Sequence, residues 1–195
     1  HATYRRIAAC LLLSVVIAAP LLAQEQPRIE FKATRLTDNV YMLSGAGGNL
    51  AIALADDGVL LVDSEYGQLR DKLLAAVKEL KDQPVRMVVN THWHFDHVGN
   101  NEYLAQQGAR IIAHANVRQR MSSEQVLRNI DRRVPPSPAA ALPTLTFTDA
   151  LTVYHGGEEI RVLHLAPAHT DGDSIVQFKQ ANVLHAGDVF FNQCY

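Results

Sequence analysis

An apolar run, Val85-Arg86-Met87-Val88-Val89-Asn90, opens directly onto Thr91-His92-Trp93-His94-Phe95-Asp96-His97, and this junction constrains the fold more than any other part of the chain. A buried strand that ends in three imidazoles and a carboxylate must satisfy them, because polar groups inside a protein are costly unless hydrogen-bonded or paired with charge. The chain holds nine histidines in 195 residues, yet three fall within the six positions from His92 to His97. On a turn between strand and helix, His92 and His94 alternate to one side while Asp96 and His97 swing to the other, so one loop can face two cations. Imidazole and carboxylate are the donors expected around zinc.

Two later turns offer further donors. Ala168-His169-Thr170-Asp171-Gly172-Asp173 follows one predicted strand and Ala186-Gly187-Asp188 follows another. Either turn alone is a weak signal, since a lone His or a Gly-Asp turn is more often structural. Their order and spacing behind the first cluster give them weight.

Around these turns, strand and helix signals alternate from Phe31 onward. Val40–Leu43 is a short apolar run that ends in the flexible turn Ser44-Gly45-Ala46-Gly47-Gly48. Leu50–Leu54 and Val59–Val62 bracket Asp56-Asp57-Gly58, a hairpin signal. Leu69, Leu73, Leu74, Val77 and Leu80 recur at helical spacing and predict a helix over 68–81 that ends before Pro84. A second helix is expected over 101–107, stopped by Gly108, and then a strand at Ile111–Ala113. Residues 135–143, with three prolines before Leu142 and one after it, read as a linker or lid, because proline fixes φ and lacks a donor. Strands follow at 144–147, 151–154, 160–165, 174–178 and 183–185. Strands, then helices, then further strands suggest two sheets with helices packed outside.

Hydrophobic residues at 48% and charged residues at 19% exclude a disordered tail, a collagen-like rod and a multi-pass membrane protein. With 18 basic against 20 acidic residues, the net charge of -2 gives no field to recruit nucleic acid, and a small-molecule substrate is the expected partner. Cys10 and Cys194 cannot form a disulfide framework. Residues 1–23 read as a signal peptide: Arg5 and Arg6 precede the apolar run Ile7–Ala19, and Leu21-Leu22-Ala23 ends in a small residue suited to cleavage. The expectation is export to the periplasm or beyond, without a stable membrane anchor after cleavage, and one domain over 24–195.

The string His92-x-His94-x-Asp96-His97, followed by His169 in Ala-His-Thr-Asp-Gly-Asp and Asp188 in Ala-Gly-Asp, resembles the metallo-β-lactamase-fold superfamily of metallohydrolases. The resemblance implies an α/β fold, a four-layer αβ/βα sandwich with metals at one edge between the sheets. It implies that His92, His94 and His169 hold one Zn2+, that Asp96 and His97 hold a second, and that Asp188 bridges both; iron or manganese is compatible with the same donors. The implied reaction is hydrolysis of an ester, thioester, lactone or amide by a hydroxide generated at the metals, with Asp96 as the catalytic group that orients it. An aspartate at 188 resembles thioesterases of the glyoxalase II type and lactonases, whereas zinc β-lactamases usually carry cysteine or serine there. A β-lactamase proper and a non-catalytic exported metal-binding relative are the alternatives.

One departure from the family pattern is plain. The family draws a further histidine for its second metal from well downstream of the bridging acid, and this sequence ends at Tyr195. The resemblance therefore implies a C-terminally incomplete member, with the second half of the sandwich incomplete and an inner sheet face left uncovered. Cys194 lies too late to serve in place of Asp188. Asp63, at the end of Leu60-Leu61-Val62-Asp63, is a candidate hydrogen-bond partner of a ligand. Thr170 and Asp173 are candidates to orient His169, and His185 sits near enough to Asp188 to support it. His114, His155 and His164 read as structural, and Trp93 and Phe95 as pocket wall or core.

Overall fold

The structure, a computed structural model, describes residues 29–127 and 131–191. The expected signal peptide and both cysteines lie outside the described residues. The chain opens with an antiparallel meander, β1 (Lys32–Arg35), β2 (Val40–Ser44), β3 (Asn49–Ala55) and β4 (Gly58–Val62). The predicted hairpin is present, but its loop is Asp56-Asp57, and Gly58 already pairs with Ala55. Gly58 has φ +152°, and a Cβ there would meet Arg86 Cγ at 2.3 Å and Pro84 O at 2.8 Å. Its glycine thus serves a close approach to the next strand rather than the loop itself.

A single 3-10 turn, Gly67–Leu69, leads into α1 (Arg70–Leu80), which buries Leu73 and Val77 and turns its lysines outward. This crossover returns the chain so that β5 (Val85–Val89) runs parallel to β4. Two short helices, α2 (Phe95–Val98) and α3 (Asn101–Gln106), then lead to β6 (Arg110–His114), again parallel. Gly108, at φ +95°, supplies the left-handed residue that ends α3. After β6 come α4 (Ala115–Met121), the hairpin β7 (Gln125–Leu127) and β8 (Arg132–Val134), and β9 (Leu145–Phe147), parallel to β6. Where a linker or lid is expected, most of 135–140 is exposed, and the segment is held down at its carboxyl end. Ala141 and Pro143 are buried, Ala139–Ala141 form a 3-10 turn, and Asn101 Nδ2 and Arg118 donate to the carbonyls of Ala141 and Pro143. The second sheet is antiparallel: β10 (Ala150–His155), β11 (Glu158–His164), β12 (Ser174–Phe178) and β13 (Val183–His185).

The first sheet has seven strands in the order β1-β2-β3-β4-β5-β6-β9 and the second has four in chain order. Alternation along the strands explains how they stack. Ala51, Ala53, Leu60, Val62, Val89 and Ile112 face Ile160, Val162, Val176 and Phe178 of the second sheet, and their cluster is the core between sheets. The intervening residues Leu50, Ile52, Val59, Leu61, Val88 and Ile111 point the other way, against Leu73, Val77 and Leu104 of the helices. Full burial of a side chain of this size contributes about 1.5–3 kcal/mol. The two-sheet sandwich is therefore as expected, with helix, sheet and sheet layers among the described residues. The inner faces pack on one another rather than standing uncovered, and between β2–β3 and β13 a cavity of about 580 Å3 is lined by Met42, Ala51, Val183 and Phe190 and reaches Asp96, His97 and Asp188. Among the described residues, the uncovered face is the outer one of the second sheet, with Tyr154 at 77% and Leu184 at 58% exposure.

Candidate metal centre

Parallel pairing sets β4 and β5 side by side, so their carboxyl ends open at one edge, where open α/β sheets commonly bind ligands. Asp63 directly follows β4, and the run from Asn90 to His97 follows β5. The second sheet brings two more turns to that edge. The connection from β11 to β12 delivers His169, and a 3-10 turn after β13, Gly187–Val189, delivers Asp188.

All six candidate ligands are brought together. His94 Nδ1 lies 3.2 Å from His92 Nε2 and 2.9 Å from His169 Nε2. Donor nitrogens of a tetrahedral zinc site with Zn–N near 2.0–2.1 Å stand roughly 3.3 Å apart, so this spacing suits one ion. His92, His97 and Asp188 form a second group, with donor atoms within 4.8 Å of one another. His97 Nε2 is 3.3 Å from Asp188 Oδ1 and 3.6 Å from Asp96 Oδ2. The other Asp188 oxygen is 3.6 Å from His169 Nε2 and 3.9 Å from His92 Nε2, so its two oxygens address different groups.

These donors fit a cation better than they fit each other. His97 Nε2 is buried and forms no hydrogen bond among the described residues, although Asp188 Oδ1 stands 3.3 Å away. Asp63, Asp96 and Asp188 make no ion pair with any Lys or Arg among the described residues. Several carboxylates and clustered imidazole lone pairs without a cationic side chain are a donor set for divalent metal.

The supporting contacts are specific. Asp63, itself buried, accepts from Thr91 N–H and Thr91 Oγ1, and its Oδ2 lies 2.8 Å from His97 Nδ1. Thr91 Oγ1 is also 3.0 Å from His92 Nδ1, so one carboxylate orients two imidazoles. Asp173 Oδ2 accepts the backbone N–H groups of His169 and Thr170, each at 2.7 Å, and Oδ1 accepts the Thr170 hydroxyl at 2.6 Å, fixing the turn that carries His169. Among the described residues His185 makes no hydrogen bond or ion pair with any of the six; it pairs with Asn49 O at 2.8 Å and accepts the Gly187 N–H, steadying the turn before Asp188. Trp93 meets His94 edge to face at 4.5 Å and joins the core under α4, while Phe95 lies beneath the Arg132 guanidinium.

Sequence reasoning missed a buried polar net behind α2. Asn90 Nδ2 and Ser64 Oγ both donate to His97 O; Asn100 Nδ2 donates to the carbonyls of Ser64 and Tyr66; and Asn90 and Asn101 exchange amide hydrogen bonds. The available signal is a run of polar residues, Asp63-Ser64-Glu65, straight after a fully buried strand.

Electrostatics divides the imidazoles. Burial, then the neighbouring imidazoles, pushes His92 far below the ordinary histidine range and His94 down to about 4, leaving both neutral with lone pairs to give. Burial alone would lower His97 as well, but the Asp63 and Asp188 carboxylates overturn this and raise it to about 11. Burial raises Asp96. Burial also works upward on Asp188, and His97 outweighs it, so Asp188 falls below the usual carboxylate range.

A sequence model described as Metallo-beta-lactamase superfamily matches residues 45–194. The chain is 28% identical over 160 residues to the 2,4-dinitroanisole O-demethylase subunit alpha of Nocardioides sp. (strain JS1661), covering 80% of this chain and 43% of that protein. It is 31% identical over 125 residues to the hydroxyacylglutathione hydrolase of Rhodospirillum rubrum, covering 64% of this chain and 41% of that one, so it spans less than half the length of either relative. Among solved structures, the metallo-beta-lactamase FEZ-1 from Legionella gormanii superposes with a TM-score of 0.70 at 19% identity, covering 87% of this chain and 69% of that one. A metallo-beta-lactamase from Pontibacter korlensis gives 0.64 at 21%, covering 80% and 71%. By fold, by donor geometry and by a sequence match over most of its length, the chain belongs to the metallo-beta-lactamase superfamily.

Proposed function

We propose that this chain carries the metal-binding part of an exported hydrolase that uses two zinc ions to cleave an acyl bond in a small molecule. The convergence of His92, His94 and His169 on one point, with His97, Asp96 and Asp188 beside it, carries the reading. The first three would hold one ion, Asp96 and His97 the other, and Asp188, with an oxygen toward each group, would hold both. When bound, the ions supply Lewis acidity, lowering the pKa of water from 15.7 to about 7 and polarising a carbonyl.

The residues do the rest. Asp63 keeps His97 Nδ1 engaged and so aims Nε2 inward, and Thr91 does the same for His92. Asp96, on the first turn of α2 and part exposed to solvent, orients the attacking water. Hydrolysis forms a bond from water oxygen to the acyl carbon and breaks the bond from that carbon to the leaving atom; Asp96 Oδ2 takes the water proton and returns it to the leaving atom. Trp93 and Thr170 line an open pocket beside His94 and His169, where the substrate's remaining groups would sit.

Identity to the hydroxyacylglutathione hydrolase favours a thioester among the candidate bonds. The β-lactamase structures, all below 25% identity, support the fold and carry no argument for an amide ring. Export rests on the sequence of residues 1–23. The test is metal analysis of purified protein, with a screen of thioester, ester, lactone and β-lactam hydrolysis on the chain and on its longest natural form. Two equivalents of zinc, with turnover that Asp96→Asn abolishes while metal is retained, support the reading. Full turnover in Asp96→Asn contradicts the role of Asp96, and metal without turnover of any acyl bond contradicts the enzyme.

A further inference from the structure

Glu65 is fully buried, yet it takes part in none of the ion pairs among the described residues, and its backbone stands at φ +60°, a conformation that disfavours side chains. Its carboxylate instead receives backbone donors. Gly47 N–H reaches Oε1 at 2.7 Å, Ala46 N–H reaches Oε2 at 3.2 Å, and Tyr66 N–H reaches Oε1 at 3.2 Å. The Gly45–Gly48 segment, legible in the sequence only as a flexible turn, is thus a fitted cradle. A Cβ on Gly45 would lie 2.1 Å from Glu65 Oε2, and one on Gly47 would lie 2.7 Å from Oε1.

The far side of the cradle is the metal centre. A Cβ on Gly47 would also lie 2.8 Å from Asp96 Cβ and 3.0 Å from Asp96 O, and one on Gly48 would stand 3.9 Å from His97 Cε1. The turn is therefore held between two carboxylates, clamped by Glu65 and bearing directly on Asp96. Successive residues after β4 divide the support: Asp63 takes the His97 ring, Ser64 takes the His97 carbonyl, and Glu65 takes the turn that abuts Asp96. We propose that Glu65 is a positioning residue of the centre, which fixes Asp96 by clamping the Gly45–Gly48 turn against it.

The consequence for the second ion rests on the proposed two-zinc reading; the clamp itself does not. The experiment compares the full chain with Glu65→Gly and Glu65→Gln by three readouts: amide exchange at Ala46 and Gly47, the Asp96 carboxyl 13C resonance of metal-free protein, and a zinc titration. Glu65→Gly relieves the left-handed backbone but orphans three backbone donors and leaves a cavity, so its unfolding temperature should fall, and all three readouts are taken well below it. Its Gly47 amide should exchange about 10-fold or more faster, as loss of a charge-assisted hydrogen bond implies. The Asp96 resonance should shift, and affinity for the second zinc should fall about 10–100-fold while the first is nearly unchanged. Glu65→Gln, keeping one acceptor oxygen, should recover part of each effect. A protected Gly47 amide in Glu65→Gly, an unmoved Asp96 resonance, or equal loss of both ions overturns the proposal. Should the unaltered chain bind no zinc, the two-zinc reading fails, and the two metal-free readouts still decide whether Glu65 positions Asp96.

Discussion

Replacing Asp63 by alanine should destabilise the metal-free protein by about 3–6 kcal/mol. Three bonds of 2.8 Å end on this carboxylate, from Thr91 N–H, Thr91 Oγ1 and His97 Nδ1, with the Asp63 and His97 side chains only 2% and 3% exposed. The Thr91 hydroxyl stands 3.0 Å from His92 Nδ1, which can accept it once the neutral ring changes tautomer, so its loss is partly made good. The Thr91 and His97 N–H groups have no such acceptor, and each orphaned buried donor costs about 1–3 kcal/mol. Removing one partner of a buried charged pair costs about 3–5 kcal/mol, a figure that overlaps the first and is not added to it. Alanine also fits the φ of +65° less well than aspartate. Against a total stability of about 5–15 kcal/mol, a loss of this size is a large fraction. Urea unfolding at neutral pH in the presence of a chelator measures it from the midpoint at constant slope. Asp63→Asn, which keeps an acceptor for Thr91 N–H, should fall between the two. An Asp63→Ala midpoint within about 1 kcal/mol of the parent would refute the view that this carboxylate holds the strand end together.

Two further outcomes are expected. His114 is locked neutral, its Nδ1 accepting the Asn116 N–H at the start of α4 and its Nε2 donating to Thr148 O, with His164 stacked at 3.8 Å. Burial, then the charge on His164, lowers its pKa, so the unfolded chain binds the proton more readily. The contribution to stability is full above the unfolded value of about 6.5 and is lost as pH falls below it toward the depressed folded value. Urea midpoints should therefore drop below neutrality, where the depressed His92 and His94 act in the same direction, and His114→Asn, which can still cap α4, should reduce that dependence by the share of His114; an unchanged slope would exclude His114 as a contributor. Phe178, fully buried on β12 between the sheets, should cost about 3–5 kcal/mol on replacement by alanine. A loss below about 1 kcal/mol in denaturant would mean that the two sheets do not pack on this side chain.

How much of this was legible in the sequence follows from what each signal depends on. The strands β3, β4 and β5 and helix α1 declare themselves by length and periodicity, and the His92–His97 cluster by composition at a strand end. The convergence of His169 and Asp188 on that cluster depends on a second sheet folding over the first, and only order and motif pointed to it. Helix α4 was not legible: it has seven residues, and its start is capped by the His114 ring, which is not among the residues that mark helix starts. The proline-rich 135–143 segment reads as a lid because proline bars regular structure. Nothing local reveals that Asn101 and Arg118 reach its carbonyls. Glu65 was invisible for a related reason, since its partners are backbone amides 18 and 19 residues earlier.

The most direct test is anomalous diffraction at the zinc edge from crystals grown with zinc. Two peaks are predicted, one enclosed by His92 Nε2, His94 Nδ1 and His169 Nε2, the other beside His97 Nε2 and Asp96, with Asp188 between them. Peaks confined to surface side chains, or a centre in which His169 or Asp188 turns away from the ion nearest His94, would contradict it.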